Sequence, residues 1–214
     1  MITIDEAMAA LPLIAILRGL RPEEAVGIGD VLVDAGFRII EVPLNSPEPL
    51  RSIRALRDRF GDRVLVGAGT VLSADAVRDV ADAGGRLVVM PHGDPEVIRA
   101  AKRAGMFCTP GISTATEGFA ALANGADALK MFPAEGLGPK VLRAWLSVFP
   151  AGTRFLPVGG IEPDNMEPFV EAGAAGFGLG SALYKAGATS AQVGDSARRF
   201  AEGWVRATGS GNRN

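Results

Sequence analysis

Lys130 stands inside the short, otherwise apolar run 128–133, ALKMFP. Lysine is rarely buried without a partner or a task. Desolvation disfavours the ammonium, so burial lowers its pKa and frees the amine as a nucleophile. Three more polar residues interrupt or end apolar runs in the same way. Arg18 closes the run Leu13 to Leu17, Glu41 lies within Phe37 to Leu44, and Thr70 follows Gly67, Ala68 and Gly69. Alternation puts Arg18 on the side of Ile14 and Ile16, and Glu41 opposite Ile40 and Val42. The small residues before Thr70 would leave room beside it. A basic clamp, a carboxylate, a hydroxyl and a lysine would then converge from four strands.

Each has an ordinary structural explanation as well. Lys130 can snorkel to the surface or pair with Glu135. Arg18 and Glu41 can bridge adjacent strands, or Glu41 and Lys130 can form a satisfied buried pair. Thr70 can be a plain strand end. Four polar groups at the ends of apolar runs together favour a site.

A second cluster is rich in glycine. Gly159 and Gly160 follow Pro157 and Val158, and Gly178, Leu179, Gly180 and Ser181 stand farther on. Glycines permit tight turns. After the last two strands of a barrel they also expose N–H groups that cradle phosphate, with a serine hydroxyl as an added donor. Phe132 shares a side with Lys130 and either shields it or fills the barrel. His92 falls on a loop and Cys108 reads as core packing.

The elements that would position these groups recur eight times. Each unit is an apolar run of strand length followed by a stretch of helical period. Seven helices close on Gly36, Gly61, Gly84, Gly105, Gly125, Gly152 and Gly173, as left-handed caps would. Ile4 to Ala10 reads as a short leading helix. The fifth strand is expected to end at Pro110, and a helix to start at Pro139. Eight such units predict an α/β fold, a (β/α)8 TIM barrel, whose site lies at the C-terminal strand ends. The alternative, an open doubly wound sheet, is disfavoured by the unit count and by the lack of a Gly-x-Gly-x-x-Gly turn after strand one. Residues 1–207 are expected to form one domain, and 208–214 a flexible C-terminal tail.

Composition removes several functions. The 214 residues carry a net charge of −2 with no basic patch, which argues against nucleic acid and membrane surfaces as partners. No apolar run is long enough for a membrane span. One cysteine forms no internal disulfide and fits a reducing, cytoplasmic setting. A single histidine and a single cysteine make a His/Cys metal site implausible, so no metal is expected. A purely carboxylate site stays open on composition.

The residues resemble a known family, the 2-dehydro-3-deoxy-phosphosugar-acid aldolases, class I lyases of Entner–Doudoroff-type pathways. The resemblance rests on five ordered blocks: 11–19 LPLIAILRG, 41–47 EVPLNSP, 67–71 GAGTV, 129–133 LKMFP and 158–161 VGGI. It extends from Leu11 to about Lys185. Asn45 in the second block and Val158 in the fifth are similar to the 6-phosphogalactonate branch. Gluconate-type members tend to have threonine and arginine in that loop and threonine before the two glycines. Ser113 to Glu117 and Gly138-Pro139 fit the same branch.

The resemblance implies a lysine Schiff base with no cofactor. Lys130 would be the nucleophile and Glu41 the proton shuttle. Arg18 and Thr70 would hold the substrate carboxylate. Gly159, Gly160, Gly180 and Ser181 would hold the phosphate, and Asn45, Phe132 and Val158 would shape specificity. It also implies a small phosphosugar-acid substrate and a homotrimer. A gluconate-type or dual-specificity aldolase, a phosphosugar isomerase on the same barrel, and a metal-dependent pyruvate aldolase are the competing readings.

Overall fold

The computed structural model describes residues 2–209. Helix α1 (Ile4–Ala10) opens the chain, capped by Thr3 and Glu6, whose side chains bond each other's backbone N–H. Strands β1 (Leu13–Ile16), β2 (Ile39–Pro43), β3 (Leu65–Gly69), β4 (Leu87–Val89) and β5 (Phe107–Thr109) then alternate with helices α2 (Pro22–Asp34), α3 (Pro49–Phe60), α4 (Ala74–Asp82) and α5 (Pro95–Arg103). After β6 (Gly111–Ile112) come α6 (Ala115–Ala123), β7 (Leu129–Met131), α7 (Ala134–Leu146), β8 (Phe155–Pro157), α8 (Glu167–Ala172), β9 (Phe177–Leu179) and α9 (Ser190–Thr208).

All strand pairs are parallel. One sheet runs β5-β4-β3-β2-β1-β9 and a second runs β6-β7-β8. The two meet at a single bridge between Val158 and Gly178. They also meet through the chain itself, because only Pro110 separates β5 from β6. The fold is α/β and TIM-barrel-like.

Two apolar layers follow from strand alternation. Ile14, Ile39, Leu65, Leu87, Val89, Phe107, Ala128 and Leu156 cluster inside the strands. Ile40, Val42, Val66, Val88, Cys108 and Leu129 face outward into the helices. Ala7 of α1 belongs to the inner cluster, with Ile4 and Met8 packed against it. The leading helix therefore closes the N-terminal end of the strands and leaves the C-terminal end as the mouth.

Two local expectations are corrected and one is extended. Pro110 was expected to end the fifth strand, yet Gly111 and Ile112 continue it by pairing with Lys130 and Met131. Proline lacks the N–H for a ladder bond, but its carbonyl still accepts from Lys130 N at 2.9 Å. The sixth helix of the units was expected to start at Pro139. A helical turn from Ala134 precedes it, and Gly138 at φ 76° breaks the two apart. At the C-terminus Thr208 ends α9 and Gly209 caps it at φ 64°. The expected tail thus loses Thr208 to the helix and Gly209 to its cap, and its remainder, 210–214, lies outside the described residues.

Gly67 shows how closely β3 approaches β4. A Cβ there would lie 2.0 Å from the Leu87 carbonyl oxygen, a backbone atom that cannot move aside alone. Gly67→Ala is expected to lower unfolding stability by more than about 2 kcal/mol, toward the upper part of the range for overpacked interiors. The urea midpoint measures it, and an unchanged midpoint would refute the tight register.

Candidate active site

A cavity of about 430 Å³ opens at the C-terminal end of the strands. Arg18, Glu41, Thr70, Lys130, Phe132, Val158, Gly159, Gly160, Gly180 and Ser181 all line it. Of the residues that the resemblance assigns to the site, Asn45 alone does not. It lies beside the mouth, where its Oδ1 accepts from the Arg18 guanidinium at 2.9 Å.

Lys130 is 8% exposed, so it does not snorkel. Its Nζ sits 4.7 Å from the centre of the Phe132 ring, a cation–π contact. Burial pushes the amine below its ordinary pKa, the Glu41 charge opposes that, and Arg18 adds to it. Glu135, the alternative partner, packs instead against Gly160.

Glu41 is 1% exposed, and its Oε2 has no hydrogen-bond partner. Burial raises its pKa to about 7, against the attraction of Lys130 and Arg18. The bare Cα of Gly69 makes room for it. A Cβ on Gly69 would sit 1.8 Å from Glu41 Oε2. The glycine that ends β3 is thus required by a side chain two strand positions along the neighbouring ladder, where Glu41 pairs with Gly67.

Thr70 follows at φ 56°. A β-branched residue in the left-handed region costs about 1–3 kcal/mol. It is held there from both sides, since Leu44 N donates to Gly69 O and Val71 N to Val89 O. The opposite side of the mouth is rich in glycine. Gly159 and Gly160 have φ of 103° and 67°. Past Gly180, Leu183 N and Tyr184 N both donate to Gly180 O. Residues Ser181 to Leu183 therefore form a turn whose N-terminal end borders the cavity. Val158 fills the space above Gly178, where a Cβ would lie 2.7 Å from its Cγ2.

Sequence reasoning missed Glu162, Tyr184 and Lys185, which also line the cavity. They lie in irregular segments where no period marks a facing. Tyr184 is nearly buried, with its hydroxyl unpartnered. Among the described residues no three His, Cys, Asp or Glu side chains cluster as metal ligands would, and no helix is long and apolar enough to cross a membrane.

A depressed lysine beside a carboxylate that titrates near neutrality suits an enzyme acting on a carbonyl carbon. Residues 4–198 match the family described as "Aldolase: KDPG and KHG aldolase", and the chain belongs to it. It is 45% identical over 197 residues to the 2-dehydro-3-deoxy-6-phosphogalactonate aldolase of Escherichia coli K12, covering 92% of this chain and 96% of that one. A probable enzyme of the same name from Rhizobium meliloti 1021 is 48% identical over 182 residues, 85% of this chain and 86% of its own. A solved structure titled "Native KDPGal structure" superposes with a TM-score of 0.92 at 45% identity, covering 93% and 97% of the two chains.

The raised Glu41 pKa has a consequence for stability. Its folded value of about 7 exceeds the ordinary 4.5. A carboxyl raised in this way favours the fold fully below about pH 4.5 and loses that contribution as pH rises through 7. The shift corresponds to roughly 3 kcal/mol. Glu41→Gln, which cannot ionise, is expected to gain stability relative to the parent between pH 5 and pH 8. Urea unfolding of both proteins at the two pH values tests this, and a constant difference would refute the burial of the charge.

Proposed function

We propose that the protein is a class I aldolase that cleaves 2-dehydro-3-deoxy-6-phospho-D-galactonate to pyruvate and D-glyceraldehyde 3-phosphate. The observation that carries this reading is the buried Lys130 beside the buried, unpartnered carboxylate of Glu41 in one cavity. The galactonate assignment is supported by the names of the two relatives at 45% and 48% identity.

Lys130 Nζ attacks the C2 ketone and forms a carbinolamine. Loss of water gives an iminium, which serves as the electron sink. Glu41 takes the proton of the C4 hydroxyl. The C3–C4 bonding pair moves toward the iminium nitrogen and leaves an enamine, and the C4 oxygen becomes the aldehyde of glyceraldehyde 3-phosphate. The enamine regains a proton at C3, and water releases pyruvate and the free amine. Arg18 presents a planar donor pair to the substrate carboxylate, with Thr70 beside it. Gly159, Gly160, Gly180 and Ser181 hold the phosphate, chiefly through backbone N–H groups. Phe132 walls the lysine and Val158 narrows the passage between the two ends.

This reading takes the chain from α1 to the Gly209 cap as one closed (β/α)8 barrel domain. The bridge at Val158–Gly178 and the strand resumed beyond Pro110 support it. It also takes the active form as a cytoplasmic homotrimer. Phe119 and Val148 support an assembly, being 44% and 60% exposed on α6 and on the turn that follows α7; Phe119 stacks on Phe149 at 4.3 Å. Light scattering at the trimer mass checks that assembly.

Borohydride with pyruvate is expected to add covalent mass at Lys130 and none to Lys130→Ala, which should also lose turnover. A fully active Lys130→Ala protein would sink the mechanism. Because Glu41 works as the anion, kcat/KM is expected to rise through about pH 7. A profile flat from pH 5 to 9 would remove Glu41 from the proton transfer. Side-by-side kcat/KM for the galactonate and gluconate forms decides the branch, a tenfold preference being about 1.4 kcal/mol. Comparable rates would replace the galactonate assignment with dual specificity.

A further inference from the structure

We propose that Asn45 is a positioning residue for Arg18, governing the carboxylate end of the site and not the choice between sugar epimers. The inference rests on the aldolase reading above. Asn45 is the one candidate specificity residue that lies outside the cavity lining. What it does touch is the Arg18 guanidinium, through Oδ1 at 2.9 Å.

The neighbouring backbone is pinned by the same loop. Ser46 is 8% exposed, and its Oγ accepts from Gly19 N at 2.9 Å. Gly19 adopts φ 85°, and a Cβ there would lie 2.9 Å from the Ala186 side chain. The turn carrying Arg18 is thus bonded to Ser46 and lies close against Ala186 after β9. Asn45 then fixes the side chain that this turn presents.

An amide is suited to this task because it orients without neutralising. Among the described residues Arg18 has no carboxylate ion-pair partner, so its charge stays available to an incoming anion. An aspartate at residue 45 would keep an acceptor of the same size and reach but pair with the guanidinium. An alanine would leave the charge and lose the direction.

The exchange of pyruvate methyl protons into heavy water isolates this end of the site, since it needs the Schiff base and enamine but no sugar. By NMR, Asn45→Ala is expected to raise the half-saturating pyruvate concentration about threefold, as the loss of one hydrogen bond would. Asn45→Asp is expected to raise it about tenfold, with exchange at saturating pyruvate within about twofold of the parent. The galactonate-to-gluconate ratio of kcat/KM should stay within about twofold in both variants. A half-saturating concentration unchanged in both variants overturns the proposal. So does a tenfold shift in the epimer ratio, or a loss confined to the saturated rate. A parent protein that exchanges no pyruvate protons would defeat the aldolase reading itself, so the two failures are distinguishable.

Discussion

The site depends on keeping two opposite charges out of water without letting them cancel. Glu41 and Lys130 are both buried at the C-terminal end of apolar parallel strands, and no ion pair within bonding distance joins them. A direct pair would repay part of the desolvation and fix both groups in their charged forms. Held apart, each feels the other only through space. Burial then dominates, pushing the acid up and the base down until both titrate closer to neutrality. Gly69 is the least conspicuous part of this arrangement. Its missing side chain is the space that the carboxylate occupies.

The mouth is built from two unlike materials. On the side of β1 to β3 the lining is made of side chains, Arg18, Glu41 and Thr70. On the side of β8 and β9 it is largely glycine, with Gly159 and Gly160 at positive φ and the turn after Gly180. A guanidinium can be swung by its neighbours, whereas a row of peptide dipoles moves only with the fold. The two ends are therefore unequally adjustable, and variation in loops beside β1 and β2 acts on one end alone.

Much of this was legible in the chain. The units could be counted because most of the helices that follow a strand are capped at or one residue before a glycine at positive φ, a local requirement; α7 is the exception among them, ending at Leu146 with Ser147 as its cap. Lys130 and Glu41 stood out because an ionisable residue in a strand-length apolar run has few reasons to be there. Their burial was not legible, since snorkelling and burial share one pattern. The strand that resumes after Pro110 was hidden because proline marks a missing donor and says nothing of its carbonyl. The start of α7 was hidden behind Gly138, whose φ of 76° separates two helical pieces that sequence reasoning treats as one helix and a loop. Asn45 was noticed for its place in a loop, but its bond to Arg18 spans 27 residues and has no local signature. Tyr184 and Lys185 had no period to betray them.

The helix that closes the N-terminal end of the strands also decides where the chain can be joined to anything else. Helices run against the strands they follow, so α9 ends at the face where α1 begins. Val205 and Arg206 accordingly border one groove with Ala10 and Leu11. Both described ends, Ile2 and Gly209, thus belong to the face opposite the catalytic mouth. A surface tether, reporter dye or fused protein attached at either end would leave the approach to Lys130 clear, and several copies immobilised this way would all present their openings outward.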